Sequence, residues 1–386
     1  KKPVSVSGKT RLLSESVIRE MTRLSDRHGA INLSQGFPDF PAPARVKRAA
    51  VRAIEADFNQ YAVTWGSPNL RRAIAEKAAW FNGIHCEPDK NITVTCGSTE
   101  ALMASVMAIA DRGDEVILLE PAYENYKPSV ILAGGTPVPV PLGESFSVDE
   151  ERLKSAFNGR TKLILVNTPH NPSGKVFGKK ELGLIADLCE DYGAVAITDE
   201  IYEHILYDGR SHISLATLGD MAERTVTISG ISKTYTATGW RVGYAIADET
   251  LTKALRKVHD FMTVCAPAPL QEAAAVALRS QKSFYIKLAE TYQKKRDYIS
   301  SQLKDIGFEF FRPEGSYYIL ADFGGLSSKD DRKFAYSMTV DCGVAVVPGS
   351  SFYSDPKLGR KQVRFSYSKK DSTLRKAAAK MKAFFG

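Results

Sequence analysis

Between residues 90 and 230, short apolar runs alternate with segments whose apolar residues recur at helical spacing. The apolar runs have the length of buried strands, and helices are predicted between them at Thr99–Ala110 and Lys179–Cys189. Strands that alternate with helices predict an α/β fold with a largely parallel sheet covered on both faces. The predicted strands are Ile92–Cys96, Glu115–Leu119, Leu163–Asn167, Ala194–Thr198 and Thr225–Ser229.

The pattern changes in the last third of the chain. Residues 266–304 are mostly helical in character, which suits a bridge between two domains. The segments that follow predict a smaller α+β domain: apolar runs at Tyr317–Ala321, Val344–Val347 and Val363–Tyr367, then a helix from about Ser372. Because a chain of 386 residues is too long to form one compact core, we expect two domains. Their expected bounds are 1–45 (an N-terminal arm and part of the small domain), 46–285 (the large domain) and 286–386 (the small C-terminal domain).

Composition and charge narrow the class of protein. The chain is 44% hydrophobic and 25% charged, as globular proteins are, and no run of about 18 apolar residues predicts a membrane span. Its five cysteines are widely spaced without a C-x-x-C pair, which indicates a reducing, cytoplasmic setting rather than disulfides or a metal site. The net charge of +8 comes from basic residues interleaved with acids, which favours solvated helix faces and small anions over nucleic acid.

Polar residues follow several of the predicted strands. Because ligands of parallel sheets bind at the carboxyl ends of the strands, residues 97–99, Asn171, Asp199 and Lys233 are candidates for one site. An acid such as Asp199 after a strand is commonly a loop residue or helix cap, but it could also meet a protonated ring nitrogen. A lone lysine is usually a surface residue. The small residues 230 and 232 beside Lys233 nevertheless leave room for a bulky group with which it could form an imine.

Two further features indicate a phosphate site. Gly97-Ser98-Thr99 stands between a strand and a helix, where backbone N–H groups bind anions, although Ser98 or Thr99 can also be read as a helix N-cap. Arg241 follows Lys233 by eight residues, and its guanidinium could supply the paired donors that a phosphate prefers.

In this order and spacing, the residues resemble pyridoxal-5′-phosphate (PLP) dependent class I/II aminotransferases of fold type I, over nearly the whole chain. The lysine signature S-K-T-Y-x-x-T-G-W-R-x-G stands at residues 232–243 without a gap. Further matches are N-x-P-H-N-P-S-G at 167–174, D-E-I-Y at 199–202, R-F-S-Y-S at 364–368, N-L-S-Q-G-F-P-D-F-P at 32–41 and Y-x-x-x-x-G-x-P-x-L at 61–70.

The resemblance implies a role for each matching residue. Lys233 would hold PLP as a Schiff base and act as the acid/base, and Asp199 would pair with the pyridine nitrogen. Tyr202 and Asn171 would hydrogen-bond the phenolic oxygen, and Tyr123 would stack on the ring. These implied roles need an electron-sink cofactor, which PLP provides.

The remaining implied roles concern the phosphate and the substrate. Arg364, with the backbone of Gly36 and with Asn171, would bind the substrate α-carboxylate. The phosphate would be held by Gly97, Ser98, Thr99 and Arg241, with Tyr61 reaching it from the partner subunit of a homodimer. One departure is Gly230, where some members carry a phosphate-binding serine. Ser229 or Ser232 is a candidate replacement.

The implied reaction is a ping-pong exchange between an amino acid and a 2-oxo acid, with 2-oxoglutarate expected by family habit. The nearest branch contains kynurenine, glutamine, methionine and aromatic transaminases, which share N-Q-Y at 59–61 and V-P-G-S-S-F-Y at 347–353. The kynurenine enzymes place an aromatic–histidine pair where this chain has Val264-Cys265. One aspartate-using branch has lysine at the position of Thr99, so neutral or aromatic donors are expected ahead of aspartate.

Other classes share parts of this pattern. A PLP β-lyase of the cysteine-conjugate type, or an aminocyclopropane-carboxylate synthase, would carry most of the same residues. A transcription regulator with this fold would add an N-terminal DNA-binding module, which is not expected in a chain that begins almost directly with aminotransferase sequence. A nucleotide-binding dehydrogenase would need G-x-G-x-x-G after a strand, and the sequence has none.

Overall fold

The computed structural model describes residues 4–386, which form three β-sheets and the helices around them. The α-helices are α1 Gly8–Arg11, α2 Val17–His28, α3 Ala44–Glu55, α4 Pro68–Lys77, α5 Pro88–Asn91, α6 Ser98–Ile109, α7 Tyr126–Ala133, α8 Glu150–Ala156, α9 Lys179–Tyr192, α10 Glu249–Thr263, α11 Ala268–Leu278, α12 Lys282–Ile306, α13 Asp331–Ser337 and α14 Asp371–Phe385. The strands are β1 Ile31–Asn32, β2 Ile92–Thr95, β3 Glu115–Glu120, β4 Thr136–Pro141, β5 Thr161–Asn167, β6 Val195–Asp199, β7 Thr225–Gly230, β8 Gly243–Ile246, β9 Glu309–Phe310, β10 Tyr318–Asp322, β11 Val344–Ala345, β12 Val347–Pro348 and β13 Gln362–Ser366.

The largest sheet has seven strands in the order β2-β8-β7-β6-β5-β3-β4. The pairs from β7 to β4 are parallel, whereas β8 runs antiparallel to both β7 and β2. All five predicted strands are present in this sheet, so the predicted α/β class is confirmed. The pattern did not predict β4, whose alternating prolines suit an edge strand, or the short strand β8.

Both faces of this sheet are buried, because side chains alternate between two helical layers. Leu118 and Leu165 lie in an apolar cluster with Ala101 of α6. The neighbouring Ile117 and Ile164 lie in a separate cluster with α8 and α9. Such two-sided burial explains why these strands are continuous apolar runs, and it leaves the strand ends as the place for polar chemistry.

The second core lies around an antiparallel sheet in the order β12-β13-β10-β9, and α12, α13 and α14 contribute to it. The predicted strand Val344–Val347 is divided in two: β11 pairs with β1 from the N-terminal part of the chain, and β12 pairs with β13. The N-terminal Leu33 is buried in this same core. The domain boundaries at residues 45 and 285 stay a prediction.

The helical stretch predicted at 266–304 consists of α11 and the 25-residue α12. Across residues 4–386, the helices lack the combination of length and apolar character that crossing a bilayer requires.

Candidate active site

A cavity of about 460 Å³ lies where β5, β6 and β7 end and α6 begins. Ten of the residues expected at the site border it: Gly36, Ser98, Thr99, Tyr123, Asn171, Asp199, Tyr202, Lys233, Arg241 and Arg364. Gly97 lies beside Ser98 at the start of α6. Tyr61 lies outside this cavity, with 84% of its side chain exposed.

Lys233 follows β7 and is half-buried at the cavity wall. Its Nζ donates a hydrogen bond of 3.2 Å to the backbone oxygen of Gly36 and lies 5.9 Å from the ring centroid of Tyr202. Burial lowers the pKa of Lys233, because the charged ammonium loses water. A larger fraction of unprotonated amine makes this lysine a better nucleophile toward a carbonyl group.

Asp199 is the last residue of β6, and its carboxylate faces the cavity. The hydroxyl of Tyr126 donates to its Oδ2 at 2.9 Å, and the backbone N–H of Ile201 donates to its Oδ1 at 3.3 Å. Burial raises the pKa of Asp199, while these two hydrogen bonds counteract the rise. A cation beside Asp199, such as a protonated ring nitrogen, would favour its ionised form.

An anion cradle lies at the start of α6. The helix begins at Ser98 with Gly97 as its N-cap, so the reading of Ser98 or Thr99 as the N-cap is wrong. Gly97 has φ 84°, and a Cβ there would lie 2.3 Å from Nη2 of Arg241. The guanidinium and the free N–H groups of the first helical turn therefore converge on one place, where a phosphate fits.

Arg241 adopts a left-handed conformation with φ 54°, which is uncommon for a residue with a side chain. Its Nη1 donates to the backbone oxygen of Thr238 at 2.8 Å, and its Nη2 lies 3.4 Å from that of Cys96. These contacts fix the guanidinium beside the helix.

The glycine at position 230 is required by this backbone. A Cβ on Gly230 would lie 2.9 Å from both Cα of Gly243 and the oxygen of Val242. Ser229 does not reach the cavity, because its hydroxyl donates to Oε1 of Glu203 at 2.6 Å. Ser232 borders the cavity, so of the two candidate serines it alone could contact a phosphate there.

Arg364 lies in β13 and is only 1% exposed. It donates to Oδ1 of Asn171 at 2.9 Å and to the backbone oxygen of Ser34 at 2.6 Å. The rings of Tyr318 and Phe352 lie 4.3 and 5.0 Å from its guanidinium carbon. Its Nε has no hydrogen-bond partner among residues 4–386. The plane of the Arg364 guanidinium is therefore fixed, and its remaining N–H donors suit a carboxylate.

The cavity is also bordered by residues that were not predicted from sequence, among them Arg19, Tyr126, Asn167 and Tyr318. Asn167 belongs to the N-x-P-H-N-P-S-G motif, and its amide donates to the backbone oxygen of Asp199 at 2.8 Å. The hydroxyls of Tyr318 and Tyr202 are hydrogen-bonded at 2.9 Å. Tyr318 thus connects the Tyr202 side of the cavity with Arg364.

Behind the cavity, Glu200, Glu203 and His212 bring three possible metal-ligating atoms within 4.8 Å of one another. The ammonium of Lys77 forms an ion pair with Glu203, and the amide of Asn82 donates to both carboxylates, at 3.1 and 2.8 Å. A protein cation therefore already supplies the positive charge that a metal ion would bring.

Comparison with known proteins shows likeness along the whole chain. Methionine aminotransferase of Escherichia coli strain K12 is 36% identical over 381 residues, covering 98% of each chain. Kynurenine–oxoglutarate transaminase 1 of Homo sapiens is 36% identical over 397 residues, covering 94% of each. The solved structure of N-succinyldiaminopimelate aminotransferase from Mycobacterium tuberculosis has a TM-score of 0.95 at 36% identity, covering 98% of this chain and 100% of that one. The model of aminotransferase class I and II matches residues 28–381. The chain therefore belongs to the class I and II aminotransferases, a family of PLP-dependent enzymes.

Proposed function

We propose that this enzyme transfers an amino group from a neutral or aromatic amino acid to a 2-oxo acid, chiefly 2-oxoglutarate, by a ping-pong mechanism. The observation that carries the proposal is the arrangement of Lys233, Asp199 and Arg364 around one cavity. A nucleophilic amine, a carboxylate for a ring nitrogen and a guanidinium for a carboxylate are the three groups that this reaction requires.

The residues of the cavity fit PLP, which supplies an electron sink for charge that develops at the substrate α-carbon. The phosphate would lie at Gly97, Ser98 and Thr99, with Arg241 beside it. Asp199 would pair with the ring nitrogen, and Tyr202 and Asn171 would hydrogen-bond the phenolic oxygen. Tyr123 would stack on one face of the ring. Lys233 would bond to the cofactor through Nζ. The cradle at Gly97, which a Cβ would fill, supports this assignment.

Each catalytic residue then has a defined task. In the first half of the exchange Nζ of Lys233 removes the proton from the α-carbon of the amino acid, and in the second half it delivers a proton to the carbon that was the carbonyl carbon of the 2-oxo acid. Its pKa, lowered by burial, leaves more of the amine unprotonated, as a proton acceptor requires. Arg364 orients the α-carboxylate, and the backbone of Gly36 and the amide of Asn171 flank the same end of the substrate.

The donor preference rests on the relatives and on the cavity wall. Two of the compared enzymes are named for methionine and kynurenine. Apolar side chains of Ile18 and Phe37 border the cavity, and Thr99 stands where an aspartate-using branch carries lysine. These features favour neutral and aromatic side chains over aspartate.

The working unit of this proposal is a cytoplasmic homodimer. Phe58, Tyr61 and Phe261 expose 52%, 84% and 92% of their side chains. Their two segments are adjacent, because His259 is hydrogen-bonded to the backbone oxygen of Thr64 at 2.7 Å. An exposed aromatic surface beside the site suits a second copy, in which Tyr61 would reach the neighbouring phosphate. The separate, unpaired cysteines support a reducing compartment.

One experiment separates the proposal from the β-lyase alternative. Holoenzyme is mixed with an S-substituted cysteine, which carries a leaving group on its β-carbon, in the absence of an oxo acid, and the oxo acid formed is measured. A transaminase stops after one equivalent per site, whereas a lyase continues to form product. Lys233→Ala should form none, while Lys257→Ala, at an exposed lysine of α10, should match the wild type. Near-native turnover by Lys233→Ala would falsify the assignment.

A further inference from the structure

Glu100 lies on the first turn of α6, and hydrogen-bond donors surround its carboxylate. Its Oε2 accepts from the backbone N–H of Cys96, the residue before Gly97. Its Oε1 accepts from the hydroxyl of Thr263 at 2.8 Å and lies 2.6 Å from Nδ1 of His259. The side chains of His259 and Glu100 are 0% and 6% exposed. A buried contact between two titratable groups therefore stands beside the anion cradle.

The geometry requires a proton on both ring nitrogens of His259. Its Nε2 lies 2.7 Å from the backbone oxygen of Thr64, which can only accept, and its Nδ1 faces the carboxylate of Glu100. Burial alone would lower the pKa of His259, but the hydrogen bonds to Glu100 and Thr64 and the charge of Glu100 raise it above 6.5. Burial alone would raise the pKa of Glu100, but its hydrogen bonds, above all that from His259, lower it. The contact is therefore an ion pair of imidazolium and carboxylate.

Other charged or titratable groups stand near this pair. Asp260, the next residue of α10, also favours the charged form of His259. Arg256, one turn earlier on α10, donates instead to backbone oxygens of α5 and β2. Burial raises the pKa of the Cys96 thiol, which keeps this group neutral. Within the part of the chain that the structure describes, Glu100 forms an ion pair with His259 alone.

The backbone next to the pair is strained. Val264 ends α10 with φ 66° and ψ −62°, and the N–H of Cys265 donates to the backbone oxygen of Thr263 at 2.8 Å. This is a γ-turn of the rare kind, at a β-branched residue for which positive φ is uncommon. The backbone oxygen of Cys265 lies 3.7 Å from Sγ of Cys96, so the turn packs against the segment that leads into the cradle. A strained turn and a buried ion pair are both costly, and they meet at the start of α6.

Without its cation, Glu100 would oppose an anionic ligand. The first turn of α6 attracts anions through its free N–H groups, but a carboxylate in that turn repels a phosphate at residues 97–99. The imidazolium cancels this negative charge and leaves Glu100 bonded to the N–H of Cys96. The carbonyl oxygen of Cys96 in turn lies 3.4 Å from Nη2 of Arg241. The backbone of one residue therefore connects the ion pair with the phosphate arginine.

We propose that His259 is a positioning residue for the cofactor phosphate, because its imidazolium neutralises Glu100 and holds it against the segment that leads into the cradle. This inference rests on the proposed function, which places the phosphate at residues 97–99 and Arg241. His259 itself contacts neither cofactor nor substrate. Its contribution is complete below about pH 6.5, the ordinary pKa of histidine, and is lost as the pH rises through the higher pKa of the folded protein.

The test compares two ligands that differ only in the phosphate. Full-length apoenzyme is titrated with PLP and with pyridoxal from about pH 6 to 9.5, and Kd is measured by visible absorbance. Bonding to Lys233 is common to both ligands and cancels. At the acidic end, His259→Gln should weaken PLP about tenfold, as loss of a charged hydrogen-bonded pair does, and leave pyridoxal near the wild type. As the pH rises, the PLP affinity of the wild type should approach that of the variant.

A second substitution separates charge from packing. Adding Glu100→Gln to His259→Gln should restore most of the PLP affinity, because it removes the repelling charge, whereas it would not repair a packing defect. The matched control is His212→Gln, which removes another buried histidine, bonded to Glu200 at 2.6 Å, and should change both ligands alike. Should His259→Gln fail to fold, Thr263→Val keeps the shape, removes one donor to Glu100 and should weaken PLP alone by about threefold.

A spectroscopic readout shows the charge of His259 directly. In protein labelled with ¹⁵N-histidine, both ring nitrogens of His259, identified by their loss in His259→Gln, should be protonated at about pH 7. A neutral ring at this pH, a loss of PLP affinity that does not change with pH, or an equal loss for PLP and pyridoxal would overturn the inference.

Arg241→Gln distinguishes this inference from the proposed function. If this variant keeps the wild-type preference for PLP over pyridoxal, the phosphate site is wrong and the inference falls with it. If Arg241→Gln loses the preference while His259→Gln keeps it at every pH, the proposed site stands and only the role of His259 is wrong.

Discussion

The hydroxyl of Tyr126 donates a hydrogen bond of 2.9 Å to Oδ2 of Asp199. Tyr126 is buried, so this bond is shielded from water and supports the ionised carboxylate. Its loss would raise the pKa of Asp199 further, in the direction in which burial already moves it.

We therefore predict that Tyr126→Phe lowers kcat/KM about tenfold, the usual cost of losing a hydrogen bond to a charged group. The acidic limb of the pH–rate profile should move to higher pH, because Asp199 would be ionised only at higher pH. Tyr235→Phe is the matched control, since it removes another buried hydroxyl, bonded to Tyr285 at 2.6 Å. An unmoved acidic limb in Tyr126→Phe would contradict the role of this bond.

Gly36 leaves no room for a side chain. A Cβ there would lie 1.9 Å from the hydroxyl oxygen of Tyr318, which is buried and bonded to Tyr202. We predict that Gly36→Ala raises KM for amino acids, because Tyr318 must move away from Arg364. The overpacking should also cost about 1–3 kcal/mol of stability, visible as a lower Tm.

The control for this variant is Gly183→Ala. Gly183 lies inside α9, and a Cβ there would meet nothing within 4 Å. Alanine in a helix is favoured over glycine by about 1 kcal/mol, so Tm should stay constant or rise. If Gly36→Ala and Gly183→Ala had the same KM and Tm, the close approach of Gly36 and Tyr318 would affect neither substrate binding nor stability.

Lys369 gives the protein a pH-dependent stability. Its ammonium donates to the backbone oxygens of Phe37, at 2.8 Å, and Gln35, at 3.4 Å, while Asp39 acts against the effect of burial. Burial lowers the pKa of Lys369 from 10.5 to about 8. Between these values the unfolded chain binds the proton and the folded protein does not, so stability rises with pH through this window.

The measurement is the free energy of unfolding in urea from pH 7.5 to 10. The free energy of unfolding of the wild type, minus that of Lys369→Met, should increase over this pH range by on the order of 1–3 kcal/mol. Lys370→Met, at an exposed neighbour, should leave the pH dependence unchanged. A flat difference for Lys369→Met would show that this lysine keeps its ordinary pKa in the folded protein.

The shared-site dimer predicts a mass twice that of the 42.4 kDa chain in light scattering. Phe261→Glu should dissociate it, because a charge would be buried at the contact, and the monomer should hold PLP poorly. Tyr336→Glu, at a side chain that is 55% exposed on α13, should leave the mass unchanged. If the wild type had the mass of one chain and full activity at the same dilution, the proposal that Tyr61 of each subunit reaches the phosphate site of the other would be wrong.

The central strands and the convergence of their polar ends could be predicted from the sequence, because both depend on local pattern and on one rule for parallel sheets. Asp199 and Lys233 follow directly from where β6 and β7 end. The short strand β8 could not be predicted, since four buried residues carry too little periodicity. Its antiparallel direction is set by pairing with β2 and β7.

The unpredicted cavity residues have side chains whose roles come from tertiary packing alone. Tyr318 stands in an apolar run and is indistinguishable in sequence from a core tyrosine. Arg19 occupies an exposed position of α2, an amphipathic helix, where a charged residue reads as solvated surface. Only the folded chain brings each of them to the cavity.

Strand β8 also fixes the length of the loop that carries Lys233 and Arg241. Gly230 pairs with Gly243, and Gly243 pairs on its other side with Thr95, so both ends of the loop are locked into ladders. An inserted or deleted residue would either shift this register or change the position of Lys233 relative to Arg241. Engineering of this enzyme can therefore exchange side chains of this loop other than those of Lys233 and Arg241, but grafts of a different length should fail to assemble the site.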